Sequence, residues 1–144
     1  MIVLTTKVEE IMTPNVLFLD QNESMEKVSE IFESKPIHHL PVVDEDLIVV
    51  GIVSKSDYYK LQHCLTFFQS SKIKEYNKAL MRSLLVRDTM TKHVVTLFPD
   101  DPVSKAVDLF RENLFHAIPV VDKEKHLLGI LTTFDLINFA FKPT

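Results

Sequence analysis

The chain carries an internal repeat, and this repeat limits its fold more than any other feature. The stretch HHLPVVDEDLIVVGIVSKSD at 38–57 returns as HAIPVVDKEKHLLGILTTFD at 116–135. The two copies align without a gap, and Gly129 follows Gly51 by 78 residues. Each copy is too short to bury a large core alone. The repeat therefore predicts one body made of two similar motifs related by pseudo-symmetry.

Within each copy the hydrophobic periodicity changes in the same order. The β-rich runs NVLFL and HVVTL predict first strands. Apolar residues at helical spacing follow them, which predicts a helix with one buried stripe. These residues are Met25, Val28, Ile31 and Phe32 in the first copy, and Val103, Val107, Phe110 and Leu114 in the second. Two further strands follow, HLPVV with LIVVGIV and AIPVV with HLLGIL, and a closing helix begins after Ser54 or Thr132. We predict an α+β fold of two β-α-β-β-α motifs packed face to face.

The boundaries of the motifs follow from the repeat. Residues 1–68 form the first motif and residues 84–144 the second. Residues 69–83 are polar, with apolar residues at helical spacing, and are predicted to be a helical connector.

Composition and charge narrow the class of protein. The chain has 144 residues, of which 46% are hydrophobic and 25% charged, as in ordinary soluble proteins. Its net charge of −4 argues against binding nucleic acid, which usually requires a basic face. No apolar run is long enough for a membrane span, and the N-terminus lacks a signal-peptide pattern. The single cysteine, Cys64, fits a reducing compartment. These features predict a cytoplasmic protein without a membrane partner.

Catalytic and metal sites find little support in the sequence. The six histidines show no metal-ligand spacing, and the cysteine is isolated. No acid–base pair or nucleophile triad is recognisable. Gly51 and Gly129 are the only glycines, which excludes a glycine-rich phosphate loop. A lone glycine instead marks a positive φ or a close backbone approach. We therefore expect no enzyme, no metal and no required cofactor.

The stretches GIVSKSD and GILTTFD carry the most specific chemistry. Each places a hydroxyl, Ser54 or Thr132, at a predicted helix start and a carboxylate, Asp57 or Asp135, three residues later. This spacing is typical of a capping box, which is a purely structural device. It also suits a ligand, because a helix N-terminus attracts phosphate and a carboxylate can accept the hydroxyl groups of a ribose. Both interpretations remain open at this point.

The repeated pattern MT…V…L…HxxPVVD…GI(V/L)(S/T)xxD resembles the tandem cystathionine-β-synthase (CBS) domain pair, also called a Bateman module. The resemblance extends from about Val8 to Phe139, so we expect no separate catalytic domain within the given sequence. It implies that the two motifs pack through their sheets. It implies two clefts that bind adenosine compounds, such as AMP, ADP, ATP or S-adenosylmethionine, as regulatory ligands. It also implies pairing into a homodimer.

The resemblance assigns residues to the two clefts by motif. Ser54 and Thr132 match the hydroxyl of each cleft, and the two aspartates match its ribose carboxylate. Histidines before the second strand match phosphate contacts, and first-strand residues match contacts to adenine. The first cleft would contain Val16, Leu17, Phe18, His38, His39, Pro41, Ser54, Lys55 and Asp57. The second would contain Val94, Val95, Thr96, His116, Ala117, Pro119, Thr132 and Asp135. Ala117 stands where the first copy has His39, so the second cleft has less cationic character. Phe18 stands where the second copy has Thr96, so the first cleft is expected to hold the base differently. Which cleft is occupied stays open.

These observations lead to two functional hypotheses. In the first, the chain is a stand-alone sensor that binds an adenine nucleotide or S-adenosylmethionine and signals to an unidentified regulated protein through a conformational shift. In the second, it is a ligand-free structural or oligomerisation module whose S/T-x-x-D pairs are only caps. Aromatic residues could form an oligomer interface or fill the core. They are Phe67, Phe68, Phe139 and Phe141.

Overall fold

A computed structural model describes residues 5–65 and 71–142. Phe67 and Phe68 lie outside this range. The strands are β1 (Thr13–Pro14), β2 (Leu19–Asp20), β3 (His39–Val43), β4 (Val49–Ser54), β5 (Thr91–Lys92), β6 (Ala117–Val121) and β7 (Leu127–Thr132). The helices are α1 (Met25–Ser34), α2 (Lys55–Leu65), α3 (Ser71–Ser83), α4 (Val86–Thr89), α5 (Val103–Arg111) and α6 (Thr133–Ala140), with a 3-10 turn at Val8–Glu10. The predicted α+β class is confirmed.

The chain divides into two compact units that interleave in sequence. One unit, called here the Asp135 unit, runs to Val16 and also contains Asp46–Val49 and the chain from Val94 onward. The other, the Asp57 unit, contains Leu17–Glu45 and Val50–His93. The predicted motif boundaries at residues 68 and 84 describe the sequence repeat and stay a prediction.

The Asp57 unit contains a four-stranded sheet in the order β2-β3-β4-β5. Strand β2 is parallel to β3, with Leu19 opposite Val42. Strand β5 is antiparallel to β4, with Gly51 opposite Lys92. Helices α1 and α2 follow the strands as the periodicity predicts, and the predicted connector is helical as α3.

The Asp135 unit repeats this arrangement with its own segments. Its sheet has the order β1-β7-β6, and all three strands are antiparallel to their neighbours. Leu97 forms an isolated parallel bridge with Val120, in the place that β2 takes in the other sheet. Both sheets therefore share one topology, as the sequence repeat requires.

Each unit has its own apolar core, formed by residues of its sheet and by the apolar faces of its helices. In the Asp57 unit the fully buried side chains include Leu19, Met25, Phe32, Leu40, Val42 and Tyr58. In the Asp135 unit they include Val8, Leu97, Ala106, Ile118, Val120 and Leu131. None of the helices in the described ranges is long and apolar enough to cross a membrane.

The two glycines mark a close approach of the short outer strand to the central strand. A Cβ atom on Gly51 would lie 2.8 Å from the Thr91 carbonyl oxygen and 2.5 Å from Met90 Sδ. A Cβ atom on Gly129 would lie 2.7 Å from the Thr13 carbonyl oxygen. Neither glycine has a positive φ. Of the two uses of glycine considered from sequence, the close approach is confirmed.

The prediction of first strands at NVLFL and HVVTL is largely wrong. Residues 16–18 and 94–96 are irregular, and only Leu19 and Leu97 make strand-type pairs. The residues that precede them, Asn15 and His93, have φ values of 52° and 57°. This left-handed conformation turns the chain and breaks the extended run that propensity favours.

The predicted buried stripe of the second copy is wrong at its last position. Helix α5 ends at Arg111, and Asn113 has a φ of 57°, which terminates the helical path. Leu114 therefore lies outside the helix and is 77% exposed. A left-handed asparagine just after a helix is a common stop signal.

Candidate functional site

The start of α2 holds the first S/T-x-x-D pair in the Asp57 unit. Ser54 is the last residue of β4, and its Oγ accepts a hydrogen bond from the Asp57 amide at 3.0 Å. The Asp57 carboxylate is exposed, and no hydrogen bond or ion pair reaches it within residues 5–65 and 71–142. Only one of the two hydrogen bonds of a capping box is present, and the Asp57 carboxylate takes no part in it.

The start of α6 holds the second pair, and here the capping box is complete. The Asp135 amide donates to Thr132 Oγ1 at 3.1 Å, and the Thr132 amide donates back to Asp135 Oδ2 at 2.9 Å. The Thr13 hydroxyl donates to Asp135 Oδ1 at 3.3 Å. Both carboxylate oxygens of Asp135 therefore already accept a hydrogen bond.

A histidine before the second strand anchors each helix start. The His38 carbonyl accepts a hydrogen bond from the Lys55 amide at 2.8 Å, and the His116 carbonyl accepts one from the Thr133 amide at 3.0 Å. Both histidines are exposed. The main chain of each histidine therefore lies next to an S/T-x-x-D pair, and phosphate contacts by the two imidazoles stay a prediction.

An open cavity of about 830 Å³ lies on one side of α2. It collects the predicted residues His38 and Lys55, and Lys55 Nζ lies 5.7 Å from the centre of the Tyr59 ring. Ser56, Tyr59, Lys60 and His63 also line it. Sequence reasoning missed these four, although their spacing along a predicted helix places them on the side of Lys55. The cavity is basic and aromatic, which suits an anionic ligand that carries a ring.

Asp57 lines a different cavity, of about 160 Å³, on the other side of α2. Its walls include Met25, Val53, Tyr58 and Thr89. The structure therefore brings His38 and Lys55 together but places Asp57 in a separate recess. His38 and Lys55 line the cavity on one side of α2, and Asp57 lines the cavity on the other side. A ligand that contacts all three residues must therefore extend around the start of this helix.

The remaining predicted residues fall into exposed and buried groups. Leu17, Phe18 and Val95 are 41%, 44% and 39% exposed. Val16, Val94, Thr96 and His39 are half-buried, and Val16 belongs to the Asp135 unit. Pro41, Ala117 and Pro119 are buried within β3 and β6. Ligand contacts by these residues stay a prediction.

A cluster of possible metal ligands lies in the turn between β6 and β7. Side-chain atoms of Asp122, Glu124 and His126 come within 4.8 Å of one another. Asp122 Oδ1 accepts hydrogen bonds from the amides of Glu124 and His126, and Asp122 Oδ2 lies 3.0 Å from His126 Nδ1. These bonds pull the Asp122 pKa below its ordinary value, chiefly through the His126 amide. The cluster is explained by the turn that Asp122 stabilises.

The comparisons with known proteins now decide the family. The family model of the CBS domain matches the chain twice, at residues 8–63 and 86–142. The chain belongs to the CBS domain family. An uncharacterized protein of Methanocaldococcus jannaschii is 31% identical over 150 residues, covering 91% of this chain and 89% of its own. CBS domain pairs are generally regulatory rather than catalytic.

Solved CBS domain structures share the fold. The CBS domain of a CBS domain-containing membrane protein from Sphaerobacter thermophilus is 27% identical, with a TM-score of 0.79 over 95% of this chain and 89% of its own. The protein CBSX2, solved in complex with AMP, is 27% identical with a TM-score of 0.75, covering 94% of this chain and 96% of its own. The CBS domain pair of the protein MJ0100, solved with 5-methylthioadenosine and S-adenosyl-L-methionine, is 25% identical with a TM-score of 0.74, covering 94% of this chain and 99% of its own.

Some relatives are enzymes that contain a matching region. A homoserine O-acetyltransferase of Methanohalobium evestigatum is 30% identical over 131 residues, which cover 91% of this chain. The chain spans only 23% of the length of that enzyme. The match therefore concerns a CBS region within a longer protein.

Proposed function

We propose that this CBS pair is a regulatory module that binds an adenosine-type ligand, such as AMP, ADP, ATP or S-adenosylmethionine, and has no catalytic activity of its own. The observation that carries the proposal is the exposed Asp57 carboxylate at the start of α2, which no described residue binds. The complexes of CBSX2 with AMP and of MJ0100 with S-adenosyl-L-methionine support this ligand class.

Each part of the ligand has a chemically matched group in the Asp57 unit, with the ribose group on one side of α2 and the phosphate groups on the other. The Asp57 carboxylate can accept hydrogen bonds from the two hydroxyls of a ribose. The exposed side chains of Leu17 and Phe18 offer apolar area for an adenine ring. His38 and Lys55 supply donors for a phosphate, and charge-assisted hydrogen bonds of this kind are the stronger ones.

The Asp135 unit would bind such a ligand more weakly. A ribose would compete there with Thr13 and with the Thr132 amide, which already donate to Asp135. The unit also has Thr133 and Ala117 where the other has Lys55 and His39. We therefore assign the tighter, phosphate-bearing ligand to the Asp57 side.

A calorimetric titration tests the proposal directly. AMP, ATP and S-adenosylmethionine are titrated separately into the chain, with GMP as the control for base identity. We expect at least one adenosine compound to bind and to raise the melting temperature, since a ligand at 100 times its Kd adds about 2.7 kcal/mol of stability. If all of them fail to bind at millimolar concentration, the structural-module hypothesis replaces this one.

The phosphate assignment has its own test. His38→Ala and Lys55→Gln should each weaken ATP more than AMP, because they remove donors that only additional phosphates need. Lys27→Gln, an exposed lysine on α1, is the matched control. Equal losses for ATP and AMP would contradict the assignment.

Signalling requires a partner and a conformational preference. The ligand can shift an equilibrium only by its difference in affinity between the two states. We propose a cytoplasmic homodimer that presents this shift to a regulated protein. Support comes from α6, where Phe134, Ile137 and the following Phe141 are 67%, 55% and 79% exposed. Sedimentation that shows only a 16.6 kDa monomer at micromolar concentration would contradict the dimer.

A further inference from the structure

A second cleft in the Asp57 unit lies among helices α1, α2 and α3 and has a volume of about 480 Å³. None of the residues predicted from sequence to bind the adenosine ligand lines it. Its volume falls within the range of about 300–1,000 Å³ that small-molecule pockets occupy. Helix α3 contributes Asn77, Lys78, Met81 and Arg82 to the lining of the cleft.

The walls of this cleft carry opposite charge. Helix α1 contributes Glu26, Glu30 and Glu33, and helix α3 contributes Lys78 and Arg82. Residues three or four apart lie on one helix face, so each row points the same way. At one end the walls are joined, because Arg82 Nε donates to Glu26 Oε2 at 3.1 Å.

The next pair along the two helices stays open. Glu30 lies one turn after Glu26, and Lys78 one turn before Arg82, yet they form no ion pair with each other. Neither side chain has an ion-pair or hydrogen-bond partner within the described parts of the chain. Both side chains line the cleft.

The floor of the cleft is a buried tyrosine with a fixed hydroxyl. Tyr58 is 1% exposed, its hydroxyl donates to Glu33 Oε1 at 3.1 Å, and it lies 2.7 Å from Ser29 Oγ. Burial raises the Tyr58 pKa above its ordinary value, so the group remains a neutral donor at physiological pH. This donor holds the Glu33 carboxylate in place along the same wall as Glu30.

The charge balance of the cleft defines the ligand. Arg82 neutralises Glu26, which leaves two carboxylates, Glu30 and Glu33, facing one ammonium, Lys78. A complementary ligand has two cationic groups and one anionic group. We propose that this cleft is a second ligand site that binds a free basic α-amino acid, with its two cationic groups on Glu30 and Glu33 and its carboxylate on Lys78. A phosphate compound would meet more negative than positive charge there.

Calorimetry with matched small molecules tests the proposal on the intact chain. L-arginine and L-lysine are titrated alongside agmatine and 1,5-diaminopentane, which lack the carboxylate, and L-norleucine, which lacks the side-chain cation. We expect L-arginine or L-lysine to bind at least tenfold more tightly than its decarboxylated analogue and than norleucine. Equal binding of the analogue, equal binding of norleucine, or no binding of either amino acid overturns the proposal.

Two variants and two controls locate the binding. Glu30→Gln and Lys78→Gln should each weaken the amino acid at least tenfold, while Glu112→Gln and Lys123→Gln, exposed charges of the Asp135 unit, should leave it unchanged. Unchanged affinity in both cleft variants would show that the amino acid binds elsewhere, which also overturns the proposal. An AMP titration of the same variants should be unaffected, so failure of this site and failure of the adenosine site are told apart.

Discussion

The two copies of the S/T-x-x-D motif are nearly identical in sequence but differ in what their carboxylates do. Asp135 closes a capping box with Thr132 and also accepts a hydrogen bond from Thr13. Asp57 supports its helix only through its amide, which donates to Ser54, and its carboxylate stays exposed. One motif can therefore serve as a structural cap in one place and as an available acceptor in another. The structural interpretation fits Asp135, and a ligand contact by Asp57 stays a prediction.

The largest expected effect separates the two aspartates by ligand affinity. Asp57→Ala should weaken an adenosine ligand by about 1.5–3 kcal/mol, the worth of hydrogen bonds to a charged group. Asp135→Ala should change the affinity of the same tight site by much less. Calorimetry on both variants decides the point, and an equal loss in both would remove the proposed difference between the copies.

Substitution of either glycine tests the close contact between strands that the two units share. Gly51→Ala and Gly129→Ala should each destabilise the fold by about 1–3 kcal/mol, as overpacking of a tight contact does. The gain from a stiffer unfolded chain, about 0.4–1 kcal/mol, is too small to compensate. The obstacles include backbone carbonyls of Thr91 and Thr13, which cannot rotate away as a side chain can. Urea unfolding measures both costs.

A double variant provides the control for this comparison. Met90→Ala removes the side-chain obstacle near Gly51 but leaves the Thr91 carbonyl oxygen in place. Adding it to Gly51→Ala should therefore restore only part of the stability that the alanine removes, after its own cost is subtracted. Complete restoration would mean that the backbone approach is looser than the structure shows.

Substitution of the residues at the helix starts should change the unfolding free energy less, and by different amounts in the two copies. Thr132→Ala and Asp135→Ala should each cost about 1 kcal/mol of unfolding free energy without ligand, the usual worth of a cap. The unfolding free energy of Asp57→Ala should differ from that of the parent by no more than about 0.5 kcal/mol, as is usual for substitutions at exposed residues without a partner. Urea unfolding without ligand gives all three values. A cost for Asp57→Ala as large as that for Asp135→Ala would show that Asp57 is also structural.

Local patterns in the sequence predicted the elements but not their partners. HLPVV and AIPVV coincide with β3 and β6, because a β-branched run next to a turn-forming aspartate is a strong local signal. The state of Asp135 depends on Thr13, which is 122 residues away, so no local pattern reports it. The left-handed backbone at Asn15 and His93 was missed for the same reason, since the flanking residues favour an extended chain.

The smallest expected effect concerns the turn that joins the last two strands of each copy. Asp122 and His126 in the second copy correspond to Asp44 and Ile48 in the first, so only the second has the imidazole. The His126 amide is the main cause of the lowered Asp122 pKa, followed by its side chain, so the ionised carboxylate is favoured in the folded state. A carboxyl group with a depressed pKa stabilises the fold above its unfolded pKa, near 4, and this contribution disappears as the pH falls through the lower folded value.

Asp122→Asn should therefore lower the unfolding free energy at pH 7, and its difference from the parent should shrink as the pH falls below about 4. His126→Ala keeps the amide and should retain most of that pH dependence. Urea unfolding from pH 7 to pH 3 measures both variants, and a pH-independent difference for Asp122→Asn would contradict this account of the turn.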